Sequence, residues 1–185
     1  MEVPLAYWNF GDDQLGLPFS TSTTVTYYNK TLLDEAGFEE APGTFKEIIA
    51  LSEALPETNA DGAELYAFGG VPNTPSLANW IGQIPGEEAD SSYVLDALNG
   101  RGGTATKVIA AEEGTLQHFL TEWKAMYDAG ALMNEPSGLS DLWMAGQIAI
   151  ITNSSSGLGY FPELVGDSFE IGVSYFPRID EDSNV

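Results

Sequence analysis

Residues 17–30 read LPFSTSTTVTYYNK, small hydroxyl residues leading into β-branched and aromatic ones and closing on Asn-Lys. Residues 23–28 have the composition of a buried strand, because β-branched and aromatic side chains suit a covered, pleated surface. Asn29 then stands where a helix N-cap belongs, with Leu32, Leu33 and Ala36 forming one apolar face and Gly37 at the stop position. A strand that passes directly into a helix is the building unit of an α/β domain.

The same alternation continues downstream. After Pro42, Thr44-Phe45-Lys46-Glu47 is a capping box, and Ile48, Leu51, Ser52 and Leu55 follow at helical spacing until Pro56. Residues 61–63 predict a turn and 65–68 a short strand ending at Gly69-Gly70, whereas the proline- and glycine-rich stretch 71–106 predicts a helix over 76–81 and otherwise loop. Leu116, Phe119, Leu120, Trp123, Met126 and Tyr127 recur at three and four residues, predicting an amphipathic helix over 112–129 closed by Gly130. Residues 142–146 read as a helical turn, 147–152 as a strand, 153–156 as a polar loop, 171–176 as a strand ended by Pro177, and 180–185 as a solvated loop. Strands alternating with helices predict an α/β domain with a mixed or parallel sheet.

Charge removes one class of partner. The 185 residues include 28 Asp or Glu and only 6 Lys or Arg, a net charge of −22. The bases are scattered at Lys30, Lys46, Arg101, Lys107, Lys124 and Arg178, so no cluster exists to meet a nucleic-acid backbone or an anionic membrane. A content of 43% hydrophobic and 11% aromatic residues nevertheless predicts a folded unit. At this length roughly 70% of the unfolded surface can be buried. The chain has no cysteine, which excludes disulfides, thiolate metal sites and Cys nucleophiles. No window approaches the roughly 18 apolar residues of a membrane span, and MEVPLAYWNF lacks the basic and apolar regions of a signal peptide.

Two hydroxyl clusters carry the chemical signal: Ser20-Thr21-Ser22-Thr23 before one predicted strand and Thr152-Asn153-Ser154-Ser155-Ser156 after another. Strand ends of α/β sheets are where ligands bind. The second cluster runs into Gly157-Leu158-Gly159-Tyr160-Phe161, a predicted helix start, so hydroxyls and backbone amides could converge on an oxygen-rich ligand such as a phosphate. Ordinary caps and turns use the same residues. Tyr7, Trp8, Trp80, Trp143 and Tyr160 could stack on a sugar ring or enclose a quaternary ammonium, or serve in the core. Trp80, beside Asn79 in a proline-rich stretch, is expected to be partly exposed and Trp123 to be buried; Trp143 fits either. The lone His118 reads as structural, and no metal or cofactor is expected. The pairs Asp12-Asp13, Glu39-Glu40, Glu87-Glu88 and Glu112-Glu113 could supply a glycosidase's acid and base, but adjacent side chains diverge and solvated surface is the better reading.

Several of these segments together resemble a known family. Leu17-Pro18-Phe19, the hydroxyl run, Tyr27-Tyr28-Asn29-Lys30, Ala36-Gly37-Phe38, Pro42 and Thr44-Phe45-Lys46-Glu47 are similar, in order and spacing, to the middle of an extracellular solute-binding protein of a carbohydrate-type ABC importer (family 1). Phe45 replaces that family's usual Trp, and Val71-Pro72 stand where it has a pocket Trp. The segment from Trp143 to Ile150 and the stretch Gly172-Val173 to Pro177 match two further family patterns. Within the family the chain looks most like the glycerol-3-phosphate and glycerophosphodiester binders. The resemblance implies an α/β fold forming one lobe, mostly the C-terminal lobe, of a two-lobe periplasmic-binding-protein-like architecture. Residues 1–22 would be a hinge-proximal segment and 23–185 an incomplete ligand-binding lobe of a longer protein. It implies Ser22, beside Thr23, and Ser154 or Ser155 as phosphate ligands, with Trp80 or Tyr160 as an apolar wall. It also implies no catalytic residues, a small phosphoester or sugar ligand, ABC permease subunits as partners, and an extracytoplasmic location with membrane association through an N-terminal segment. An acid glycoside hydrolase and a surface domain without ligand are the alternatives. The net charge of −22 stands in tension with a phosphoester ligand.

Overall fold

The computed structural model describes residues 8–10, 13–17, 19–84, 94–100, 102–133 and 137–183. Tyr7, Asp12, Pro18, Pro85, Glu87, Glu88, Arg101, Asn184 and Val185, which entered the sequence expectations, lie outside them. A small hairpin of β1 (Asn9–Phe10) and β2 (Asp13–Gln14) precedes β3 (Thr24–Asn29). Asn29 caps α1 (Lys30–Glu35), its side chain accepting from the Leu32 amide at 3.1 Å. The capping box opens α2 (Phe45–Ala54): the Thr44 amide donates to Glu47 Oε2 at 3.0 Å and the Glu47 amide to Thr44 Oγ1 at 3.3 Å. Then come β4 (Tyr66–Gly69), α3 (Thr74–Ile81), α4 (Asp96–Asn99), α5 (Ile109–Glu112) and α6 (Thr115–Asp128). The helix expected over 112–129 is thus two pieces, because Gly114 adopts φ 81° between them. The chain continues through β5 (Leu132–Met133), α7 (Leu139–Met144), β6 (Ile148–Ser154), a 3₁₀ turn (Ser155–Gly159), α8 (Phe161–Val165) and β7 (Ile171–Ser174).

The five main strands form one sheet in the order β5-β4-β6-β3-β7. β4 runs parallel to β5 and β6, while β3 is antiparallel to β6 and β7, so the sheet is mixed, as the sequence predicts. β6 extends two residues beyond the expected strand because Asn153 and Ser154 pair with Val25 and Thr24. β7 ends earlier than expected, and there the Tyr175 carbonyl accepts from the Thr26 hydroxyl at 2.6 Å. The direction of the strands brings the C-terminal ends of β4, β5, β6 and β7 and the N-terminal end of β3 to one edge.

Both faces of the sheet are covered. Tyr27 and Tyr28 are consecutive on β3 and so point to opposite faces. Tyr27 joins Trp143, Ile151, Phe161 and Val165 beneath α7 and α8; Tyr28 packs against the larger cluster of Leu33, Phe45, Ile48, Phe68, Trp80, Phe119 and Trp123 under α1, α2, α3 and α6. Tyr28 lies across Gly172 on the neighbouring strand, where any Cβ would collide with its ring. Trp123 is buried as expected, and Trp143 proves to be core.

Trp80 overturns an expectation. It is 0% exposed, with ring centroids of Phe45, Phe119, Trp123 and Phe176 at 5.7, 5.4, 5.1 and 4.8 Å, and its indole N–H donates to the Pro177 carbonyl at 3.1 Å. The Asn73 cap starts α3 two residues before the expected helix, and Leu77, Trp80 and Ile81 share its inward stripe while Asn79 faces out. The C-terminal stretch is also less solvated than expected. Arg178 bridges to Thr44, its amide donating to the Gly43 carbonyl at 2.8 Å, and Ser183 is buried. His118 Nε2 lies 2.6 Å from Asp180 Oδ2, while Asp180 Oδ1 accepts from the Ser183 amide and hydroxyl, each at 2.8 Å. His118 therefore has the structural role expected of it, fastening α6 to this segment.

Replacing Trp80 with alanine removes the centre of the larger core; the expected loss is about 3–5 kcal/mol in chemical denaturation. A loss below 1 kcal/mol would contradict this packing. Partial burial works against ionisation of Asp180, but hydrogen bonds from Ser183 and His118 outweigh it and hold the carboxyl below its ordinary value. A depressed folded-state value stabilises the protein above the unfolded carboxyl's range and loses that contribution as pH falls through the folded value. Asp180→Asn should therefore lower the melting temperature at pH 7, and the gap to the native protein should shrink as pH drops below the ordinary carboxyl value; a gap independent of pH would contradict it.

Candidate functional site

The sheet edge where strand ends meet holds an open cavity of about 480 Å³. Thr24 opens β3 on one side, and Thr152, Asn153 and Ser154 close β6 beside it. Gly70 and Val71 lead out of β4 to the α3 cap, adding Asn73 and Ser76, and the start of α7 adds Ser137, Gly138, Leu139, Ser140 and Asp141. Hydrogen bonds between elements fix these walls. Asn79 on α3 donates to Thr24 Oγ1 at 3.1 Å, and Asn153 donates to Ser140 Oγ at 3.0 Å, tying β6 to α7. Asn73 Oδ1 accepts from the Ser76 amide at 3.2 Å and hydroxyl at 2.9 Å. The lining is thus rich in hydroxyls and side-chain amides, and Asp141 is the charged residue among its described members.

The two hydroxyl clusters do come together, largely by binding each other. The Thr23 amide donates to Ser155 Oγ at 3.2 Å, and the Ser155 amide donates to the Thr23 carbonyl at 2.7 Å. Ser154 lines the cavity; its Oγ accepts from the Ser156 amide at 3.3 Å and the Ser156 hydroxyl at 2.9 Å, leaving its own proton to donate. Ser22 is exposed just before β3, and neither it nor Thr23, Ser155 or Tyr160 is part of the cavity lining. Tyr160 is 42% exposed and packs on Phe161 at a centroid distance of 4.6 Å. Trp80, sealed in the core, cannot be a wall of any open site.

Residues 155–159 form a tight 3₁₀ turn rather than an open helix start. Its geometry consumes donors: the amides of Ser155, Ser156 and Tyr160 are paired with the Thr23 carbonyl, Ser154 Oγ and the Gly157 carbonyl. Tyr27 supports the turn from below, its hydroxyl donating to the Ser154 carbonyl at 2.9 Å. Burial pushes the Tyr27 phenol above its ordinary value, which keeps it protonated as that donor.

Thr24, Asn73, Ser76, Ser137, Ser140 and Asp141 escaped the sequence reading. Asn73 carried a usable signal, since Gly69-Gly70 followed by Asn-Thr-Pro marks a strand end and a helix cap. Ser137 to Asp141 is a similar helix entry, but nothing local ties it to the same edge. Of the carboxylate pairs, Glu39, Glu40, Glu112 and Glu113 are exposed, consistent with solvated surface. Among the described residues no group of three or more His, Cys, Asp or Glu could hold a metal ion.

Residues 3–183 match the model for bacterial extracellular solute-binding proteins. The chain belongs to that family. Among curated relatives, the sn-glycerol-3-phosphate-binding periplasmic protein UgpB of Agrobacterium fabrum is 27% identical over 177 residues, covering 94% of this chain and 38% of the relative. UgpB of Brucella abortus strain 2308 is 27% identical over 178 residues, with the same coverage of 94% and 38%. The chain thus spans well under half the length of the curated relatives it matches. Among solved structures, the GacH receptor of Streptomyces glaucescens superposes with a TM-score of 0.67 at 16% identity, over 96% of this chain and 43% of that one. UgpB from Mycobacterium tuberculosis, solved in complex with glycerophosphocholine, gives a TM-score of 0.62 at 17% identity, over 94% and 40%. These structures share the fold of this chain.

Gly157 sits where the 3₁₀ turn crosses the smaller core. A Cβ there would lie 2.6 Å from Phe161 Cε2 and 2.8 Å from the Tyr27 hydroxyl oxygen. Gly157→Ala should therefore push the turn away from Tyr27 and cost about 1–3 kcal/mol in thermal or chemical unfolding. A variant as stable as the native protein would show that the turn is not pinned there.

Proposed function

We propose that the strand-end cavity is one half of the solute-binding cleft of an ABC importer's extracytoplasmic receptor. Residues 23–185 act as a ligand-binding lobe and residues 1–22 as a segment near the hinge. A small, hydroxyl-bearing solute enters the cavity, and a second lobe closes over it. Contacts with both lobes favour the closed form, which the permease subunits read. No bond is broken. Ser154, Thr24 and Thr152 donate or accept at the ligand, with Asn73 and Ser76 facing them across the cavity. Thr23 and Ser155 hold the β3 and β6 ends in register, and Ser22 and Tyr160 stay exposed outside the lining.

The observation that carries this reading is the convergence of four separate elements on one hydroxyl-rich cavity at the strand ends. Family membership supports the same reading, as do the names of the curated relatives. A core tryptophan offers nothing to the ligand, so the apolar part of this wall falls to Val71, Leu139 and Ile151.

The test is calorimetry and thermal shift on the full-length protein with glycerol 3-phosphate, glycerophosphocholine and maltose as probes. Ser154→Ala and Thr152→Ala should each weaken the probe that binds by about 0.5–1.5 kcal/mol, the worth of one neutral hydrogen bond. Native affinity in both variants would place the site elsewhere.

A further inference from the structure

Resting on that reading of the cavity, we propose that Asp141 is a specificity-determining residue: it makes this lobe's share of the site accept an uncharged, hydroxyl-bearing part of the solute and turn phosphate away. Asp141 lies in the first turn of α7 and lines the cavity, and no Lys, Arg or His is among the described lining residues. Four described cations are engaged elsewhere, and Lys46, on α2, is not part of the lining. Lys30 pairs with Glu170 at 2.7 Å, Lys107 with Glu112 at 3.4 Å, Lys124 with Asp128, and Arg178 donates to the Glu181 carbonyl at 3.1 Å. A chain of net charge −22 adds to the unfavourable potential at this edge.

A phosphate group needs several N–H or O–H donors. On the β6 side the amides are spent: that of Ser154, in the lining, on Asn153 Oδ1 at 2.7 Å, and those of Ser155 and Ser156, outside it, on the Thr23 carbonyl and Ser154 Oγ. The first turn of α7 has no side-chain cap, and Asp141 within that turn sets its own negative charge beside the amides that line the cavity there. An ionised carboxylate only accepts hydrogen bonds. Phosphate oxygens are likewise acceptors, so the two groups repel and neither satisfies the other. A polyol or sugar ring offers O–H donors to Asp141 and acceptors to Ser154 and Thr152. Discrimination here comes from a repulsive element as much as from an attractive one.

The test uses the full-length protein and matched probes, glucose with glucose 6-phosphate and glycerol with glycerol 3-phosphate, titrated calorimetrically alongside maltose. The neutral member of a pair should bind more tightly than its phosphorylated partner. Asp141→Asn should narrow that gap by about tenfold, and Asp141→Glu should keep it, with circular dichroism confirming that both variants fold. A phosphorylated probe that binds more tightly than its neutral partner in the native protein, or a gap that Asp141→Asn leaves unchanged, would overturn the assignment. Failure to bind any probe, maltose included, would remove the solute-binding reading itself and the role of Asp141 with it.

Discussion

The antiparallel pairing of β3 with β6 joins two segments more than a hundred residues apart, from Thr24 opposite Ser154 to Tyr28 opposite Ile150. That register does three things. It sends Tyr27 and Tyr28 into different cores, so the same strand anchors both helical layers. It sets the hydroxyl-bearing ends of two strands side by side, which creates the polar edge of the cavity. It also lets Thr23 and Ser155 close the ladder, the Ser155 amide donating to the Thr23 carbonyl and the Thr23 amide to Ser155 Oγ, which gives the 3₁₀ turn a fixed start. A slip of one residue would turn Tyr27 out of its cluster and move Ser154 from the cavity edge.

What was legible in the sequence follows from this division. Asn29, Thr44 and Glu47 act within a few residues of themselves, so their caps could be read from local spacing and are present. The strand at β3 was equally legible, and the stripe of α6 in part: Phe119, Trp123 and Met126 are buried, whereas Leu120 and Tyr127 are exposed. Trp80 was misread because proline and glycine around it suggest loop, while its environment is supplied by residues 45, 119, 123 and 176, all distant in the chain. The cavity was half legible: the cluster at 152–156 announced itself, but Thr24, Asn73, Ser140 and Asp141 become neighbours only once the strand order is set.

The separation between scaffold and site also explains the fate of the hydroxyl-rich segments. Serines and threonines near strand ends have two competing uses, closing backbone turns and meeting a ligand. Here Thr23, Ser155 and Ser156 are drawn mainly into the first use, and Thr24, Thr152 and Ser154 are left facing the cavity. The acidic surface acts on a different scale: exposed carboxylates such as Glu39, Glu40 and Glu113 touch neither core nor cavity and set only the long-range potential in which a solute arrives.

The bridge between Thr44 and Arg178, with the Trp80 indole held by Pro177, ties the start of α2 and the end of α3 to nearly the last described residues. A polypeptide emerging from its N-terminus cannot seal this core until those late residues are available. Helices α1 to α3 can form early, but the hydrophobic surface they share stays open meanwhile, and closing it costs the entropy of joining segments distant in the chain. Such dependence on non-local contacts makes for slow folding. The larger apolar cluster is thus completed only when Phe176, Pro177 and Ile179 reach it.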